Sequence, residues 1–297
     1  MSDIKRAMAL GFFDGVHLGH AALMNKTRQR AQELGALPSV LTFDVHPDTL
    51  VFGKDVPLIN SASGRESIIR SKFGIDNVVF IHFNQKVMHM DWKEFIDVLI
   101  DELNIAWLVV GHDFCFGYKG LGTAARLKEY CAGKGIGCDI ISPVKVDGVT
   151  VSSTLIRELI AGGEIERANE LLGHPHTLTD TVRSGYHLGA SMGTPTINMK
   201  FPEGVLIPKH GVYAAKVYLE DGSEHISVTN IGVRPTVSEL DTVSVESYIL
   251  DFEGNLYDRQ ARVEFYSFLR PERRFGSLDE LSEQIKRDAG AARAYFK

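Results

Sequence analysis

Short apolar runs at residues 7–12, 39–45, 77–83, 107–111 and 138–144 alternate with helical patterns, the signature of a parallel sheet covered by helices. Between the first two runs, residues 21–34 repeat Leu23, Thr27 and Ala31 at helical spacing and stop at Gly35, which predicts a glycine C-cap. Asp91, followed three residues later by Glu94, predicts a capped helix that turns Phe95, Leu99 and Leu103 inward. After a helical stretch at 164–172 the texture changes: Gly173-His174-Pro175 interrupts the pattern, and residues 211–219, 224–232, 244–250 and 260–270 alternate in strand fashion. Residues 251–255 form a turn between the last two, spacing that suggests a closed antiparallel barrel. A final helix from about Ser277 carries Leu278, Leu281 and Ile285 on one face. The expected fold class is therefore α/β plus β: a Rossmann-like sandwich over residues 1–173, then a β-barrel with a C-terminal helix over 174–297.

A length of 297 residues supports two hydrophobic cores, and 44% hydrophobic with 24% charged residues is ordinary globular composition. The net charge of -6, with Lys and Arg scattered along the chain, provides no general field for a polyanion, so nucleic acid is not an expected partner. Cys115, Cys131 and Cys138 form no CxxC pair, which points to reduced thiols and a cytoplasmic protein. The apolar run near the N-terminus ends at Asp14 without a small-residue cleavage site, and no run of about eighteen apolar residues occurs, so neither export nor a membrane span is expected. Oligomeric state is not legible.

The segment Gly11-Phe12-Phe13-Asp14-Gly15-Val16-His17-Leu18-Gly19-His20 sits between the first strand and the first helix. Ligands of open α/β sheets bind beyond the carboxyl ends of strands, where glycines admit a phosphate and a helix start offers free N–H groups. His17 and His20, three apart, point the same way on a helical turn and can donate to the α-phosphate of ATP as pyrophosphate leaves. A second segment, Ser152-Ser153-Thr154-Leu155-Ile156-Arg157, opens another helix after the last strand and makes a second anion site with Arg157. His82, His89, His112, His174, His176, His187, His210 and His225 lack metal-ligand spacing and read as surface or satisfied core residues.

Together these segments resemble the nucleotidyltransferases that carry HxGH and SSTxIR. The full first motif is similar to that of the bacterial bifunctional riboflavin kinase/FMN adenylyltransferases, the FAD synthetases. Thr42-Phe43-Asp44-Val45-His46-Pro47 resembles that family's FDPHP, and Gly111-His112-Asp113-Phe114-Cys115-Phe116-Gly117 its GxDFxFG. The resemblance implies a nucleotidyltransferase sandwich with Gly11, Phe12, Asp113, Ser153, Thr154 and Arg157 around the nucleotide, and a loop from Gly117 facing the flavin. Gly193-Thr194-Pro195-Thr196-Ile197-Asn198 resembles the family's GxPTxN, which implies magnesium and ATP phosphates at Thr196 and Asn198 of a riboflavin kinase barrel. A hydroxyl and an amide oxygen are hard, neutral donors suited to that ion. Residues 230–236 and 245–252 also match kinase segments, implying Glu246 as base on the ribityl hydroxyl. Riboflavin, FMN and ATP are the implied partners, with magnesium as cofactor.

The likeness breaks at Cys115, Gly120 and Ala190, where the family often carries Arg, a bidentate donor that none of these replaces. Two rival readings follow: another HxGH transferase with an unrelated barrel, or a flavin-binding regulator with weakened catalysis.

Overall fold

The computed structural model describes residues 4–183, 196–234 and 242–297. The chain divides into two compact units, Met1–Ser153 and Thr154–Lys297.

The first unit runs β1 (Arg6–Leu10), α1 (Leu18–Leu34), β2 (Leu37–Phe43), α2 (Pro47–Phe52), α3 (Ala62–Phe73), β3 (Asn77–Ile81), α4 (Gln85–His89), α5 (Trp92–Leu103) and β4 (Ile105–Gly111). A short hairpin, β5 (Cys115–Phe116) and β6 (Gly122–Thr123), precedes α6 (Ala124–Gly133) and β7 (Gly137–Ile141), and a second hairpin, β8 (Lys145–Val146) and β9 (Val149–Thr150), follows. The five long strands form a parallel sheet in the order β3-β2-β1-β4-β7. Apolar side chains bury both faces. Met8, Leu10, Leu108 and Val110 pack with Ile96 and Leu99 of α5 and Leu127 of α6, while Ala9, Val40 and Val109 pack with Leu23 and Met24 of α1 and Ile69 of α3. Leu23, Thr27 and Ala31 are buried on α1 as their spacing predicts, and the Thr27 hydroxyl is satisfied by donating to the Leu23 carbonyl at 2.8 Å. Gly35 ends that helix at φ 58°, and Asp91 caps α5 by accepting from the Lys93 N–H at 2.8 Å. Strand order reverses between β1 and β4, so the crevice beyond Leu10 and Gly111 is the sheet's topological switch point.

The second unit contains α7 (Ser153–Gly162), whose first residue closes the first unit, then α8 (Ile165–Leu172), β10 (His176–Thr181), β11 (Thr196–Met199), β12 (Gly211–Leu219), β13 (Glu224–Arg234), β14 (Thr242–Ile249), β15 (Gln260–Arg270) and α9 (Leu278–Tyr295). Periodicity anticipates β12 to β15 but not β10, whose sequence HTLTDT is mostly polar, nor the four-residue β11. The strands pair in the order β10-β15-β12-β13-β14-β11, and the sheet curls until its edges meet. There Arg183 bridges Asn198, its N–H donating to the Asn198 carbonyl at 2.9 Å. Asn169 of α8 donates to the Phe265 carbonyl and accepts from the His176 N–H, both at 2.8 Å. These bonds fasten α8 to the sheet, so the compact division falls ahead of the compositional break at Gly173.

Pairing register sorts the sheet's two faces. Rows His176–Phe265–Ala215–Ser227–Ile249 and Tyr213–Thr229–Ser247–Ile197 fill the concave face, where Thr229 and Ser247 share a hydrogen bond at 2.8 Å. The opposite face carries Val212, Ala214 and Val228 against Ala289 and Ala292 of α9. No helix among the described residues is long and apolar enough to cross a membrane.

Candidate active sites

In the first unit the chain leaves β1 through a turn of unusual backbone shape. Phe13 has φ 58°, Gly15 79° and Val16 44°, and a β-branched residue in that region is an outlier. Several bonds hold the turn. The buried Asp14 carboxylate accepts the Ile59 N–H at 2.9 Å and the Asn60 N–H at 3.3 Å, and Ser153 Oγ donates to the Asp14 carbonyl at 2.9 Å. Arg65 of α3 donates to the Phe12 carbonyl and, at 2.8 Å, to the Phe43 carbonyl.

The turn delivers His17 as the N-cap of α1, its Nδ1 accepting from the His20 N–H at 3.3 Å. That bond leaves Nε2 of neutral His17 as the protonated nitrogen, a donor. His20 stacks on His17 with ring centroids 3.6 Å apart and 14° between planes. Burial, then the neighbouring His17 and Arg65, hold the His20 imidazole well below its ordinary pKa, so it is neutral near pH 7. The glycine between them is a steric requirement, because a Cβ at Gly19 would lie 2.9 Å from the His17 ring. His17 and the neutral His20 imidazole at a helix N-terminus suit an anion whose charge grows during reaction.

Gly11, Phe12, His17 and His20 thus gather at the carboxyl end of β1, and Asp113, 83% exposed, stands on the loop after β4 across the switch point. Ser153 ties the second motif to this turn through Asp14, and Thr154 and Arg157 follow on the first turns of α7. Cys115 on β5 and Gly120 in the hairpin loop, two of the positions lacking Arg, are neighbours: a Cβ added at Gly120 would lie 3.7 Å from the Cys115 Cβ. Ala190, Gly193, Thr194 and Pro195, with Pro235 and Thr236 of the later segment, lie outside the described residues.

In the second unit, register lines up the remaining candidates on the face beneath α9. Asn198 stands opposite Glu246, and Glu246 opposite Asn230; in the next row Thr196 stands opposite Tyr248. A slip of one residue would turn every one of them to the concave face. A cavity of about 260 Å³ opens here, lined by Thr196, Asn230, Glu246 and Tyr248 of the sheet and Leu281 and Ile285 of α9. Apolar side chains beside the half-buried Glu246 carboxylate suit a small molecule with both apolar and polar parts. Arg270 forks onto the buried Asp288 at 2.8 to 3.1 Å and fastens α9 over the cavity. Thr196 and Asn198, two apart on β11, offer their oxygens to the same face. No group of three or more His, Cys, Asp or Glu among the described residues is arranged to hold a metal ion. An ion bound at this face would keep most of its coordination for substrate phosphates, as magnesium does.

Motif reading missed Asp14 and Arg65. Asp14 was inside the quoted motif but carried no assignable partner; Arg65 lies 45 residues beyond His20, where only folding brings it back. His176 also departs from expectation: it is fully buried between Phe201 and Phe265, and neither ring nitrogen has a hydrogen-bond partner among the described residues.

Comparison with known proteins agrees with both halves. The FAD synthetase family model matches residues 1–155 and the riboflavin kinase model residues 172–296. The chain is 36% identical over 297 residues to the bifunctional riboflavin kinase/FMN adenylyltransferase of Listeria monocytogenes, covering 99% of this chain and 94% of that protein. It is 34% identical over 296 residues to the protein of the same name from Bacillus subtilis, covering 98% and 93%. A crystal structure described as a macrolide-efflux protein from Streptococcus pneumoniae superposes with a TM-score of 0.88 over 99% of this chain and 95% of that one, at 26% identity.

Proposed function

The chain belongs to the bifunctional riboflavin kinase/FMN adenylyltransferase family, and on that premise we propose how its residues divide the two reactions. It phosphorylates riboflavin to FMN and adenylylates FMN to FAD, with ATP as co-substrate in both.

Adenylyl transfer belongs to the switch-point crevice. An FMN phosphate oxygen attacks the α-phosphorus of ATP and pyrophosphate departs. The nucleophile is already ionised, so no general base is needed. His17 Nε2–H and the neutral His20 imidazole stabilise the charge that develops on the phosphate oxygens, helped by the α1 N-terminus. Gly11 and Phe12 border the nucleotide, with Asp113, Ser153, Thr154 and Arg157 completing its surroundings.

Phosphorylation belongs to the cavity under α9. Riboflavin lies against Leu281 and Ile285, and Glu246 accepts the 5′-hydroxyl proton as that oxygen attacks the γ-phosphorus and ADP leaves. Thr196 and Asn198 would hold magnesium, which when bound supplies positive charge to the phosphate oxygens.

The observation that carries this division is that the HxGH turn and the Asn198–Glu246–Asn230 row stand on separate sheets in separate compact units. Riboflavin, ATP and magnesium should yield both FMN and FAD. His20→Ala or Arg157→Ala should lower FAD formation by about a hundredfold while FMN formation stays near wild type, because each removes a charge-stabilising donor from one reaction alone. Equal losses in both reactions would overturn the division.

A further inference from the structure

Behind the HxGH turn lies a charged side chain that touches neither substrate in the scheme above. Arg65 is fully buried, and burial pushes its pKa down to about 10, with Asp14 and Asp44 acting on it only through space. No carboxylate bonds its guanidinium among the described residues. Its donors go instead to Phe12 and Phe43 carbonyls and, at 3.1 Å, to Thr42 Oγ1, which itself donates to the Phe12 carbonyl at 2.7 Å. The guanidinium also lies over the Phe12 ring, 4.3 Å from its centroid. Burying a charge is costly unless its bonds are made, and an aliphatic side chain would fill the same space without that cost. What an aliphatic residue lacks is the fork that joins the carboxyl ends of β1 and β2.

The fork acts where the backbone most needs holding. Left-handed conformations at Phe13 and Val16 persist only when surrounding contacts over-determine them. Asp14 reaches from the turn to the Ile59 and Asn60 N–H groups just before α3, and Arg65 reaches from α3 back to the residue preceding the turn. The two ties are reciprocal. We infer that Arg65 is a positioning residue for adenylyl transfer, clamping the Phe12 carbonyl so that the Phe13–Val16 turn aims His17 and His20 at the α-phosphate. Its charge has a second effect. The titratable and charged groups acting on His20 are His17, stacked on it, and Arg65, and both disfavour imidazolium.

This inference rests on the adenylyl-transfer reading of His17 and His20, and the test separates the two. Arg65→Lys keeps the charge but replaces the planar fork with a point donor; Arg65→Gln removes both. Each full-length variant is assayed for FAD formation from supplied FMN, for riboflavin phosphorylation as the internal control, and for the pH titration of the His20 imidazole by NMR. Arg65→Lys should lower kcat for FAD formation about tenfold or more, with KM for FMN little changed and His20 titrating as in wild type, since small displacements at a reacting centre cost rate rather than binding. Arg65→Gln should lower kcat further and move the His20 titration to higher pH. Phosphorylation should persist in both. If Arg65→Gln does not fold, Thr42→Val reads the same clamp, with a loss of a few fold and an unmoved titration. Wild-type kcat in both Arg65 variants, or parallel losses in both reactions with a lowered melting temperature, would reduce Arg65 to packing and overturn the inference. A wild-type chain that phosphorylates riboflavin but makes no FAD would instead sink the reading on which the inference stands.

Discussion

His176 shows how one side chain can set the chain's response to acid. Burial, with a smaller contribution from His174, pushes its pKa down from 6.5 to about 3, and no hydrogen bond among the described residues offsets the loss of hydration. The folded state therefore refuses a proton that the unfolded chain takes up below pH 6.5. Stability is fully present above that value and falls as the pH drops from 6.5 toward about 3, by about 1.4 kcal/mol for each unit well inside the window. Phe201 stacks on the imidazole and Phe265 packs against it at a tilt, with centroids 6.3 and 5.9 Å away, so His176→Phe matches its surroundings and carries no titration. Chemical denaturation at pH 7 and pH 5 should show a markedly smaller drop in the variant than in wild type. Equal drops would place the acid sensitivity elsewhere.

At the scale of elements, the loop after β4 is locked to the start of α5 through a glycine. Gly117 has φ 70°, and a Cβ there would fall 2.6 Å from the Trp92 Cα and 2.4 Å from its Cβ. The Tyr118 N–H donates to the Met90 carbonyl at 2.9 Å across the same contact, so the loop cannot simply move away. Gly117→Ala combines a disfavoured backbone with an overlap onto main chain. A destabilisation of about 2 to 4 kcal/mol is expected from these two effects. Urea denaturation measures it, and a change below about 0.5 kcal/mol would mean that the loop and α5 are not in contact as described. The β11 to β14 pairing makes a contrasting case, in which an element contributes through register. Neither the polar β10 nor the short β11 carries a readable strand period, yet β11 sets Thr196 and Asn198 opposite Tyr248 and Glu246.

For the whole molecule, two sites on two sheets predict separable losses. Glu246→Gln keeps shape and removes the proposed proton acceptor, so riboflavin phosphorylation should fall by about a hundredfold or more while FAD formation from supplied FMN continues. Phosphorylation unaffected by the substitution would remove Glu246 from its role as base. Much of this plan was legible along the chain. The apolar runs at 39–45 and 107–111 became β2 and β4, the Leu23–Thr27–Ala31 repeat became the buried stripe of α1, and the strand-like runs from 211 onward became β12 to β15. These are local signals, because a strand or helix that buries one face must write that face into its own period. The HxGH segment was legible for a similar reason: the N-cap, the close glycine and the stacked imidazoles are all made within four residues. Local sequence by itself thus determined most of the long elements and the two architectures they build, and it marked the motif residues. Tertiary structure alone decided that Arg65 sits under Phe12, that Asp14 holds residues 59 and 60, that Asn198, Glu246 and Asn230 share one row, and that α8 packs with the second sheet. Each of those depends on hydrogen bonds or strand register between distant segments, and a buried charge or a paired carboxylate leaves no period in the sequence from which its partner can be read.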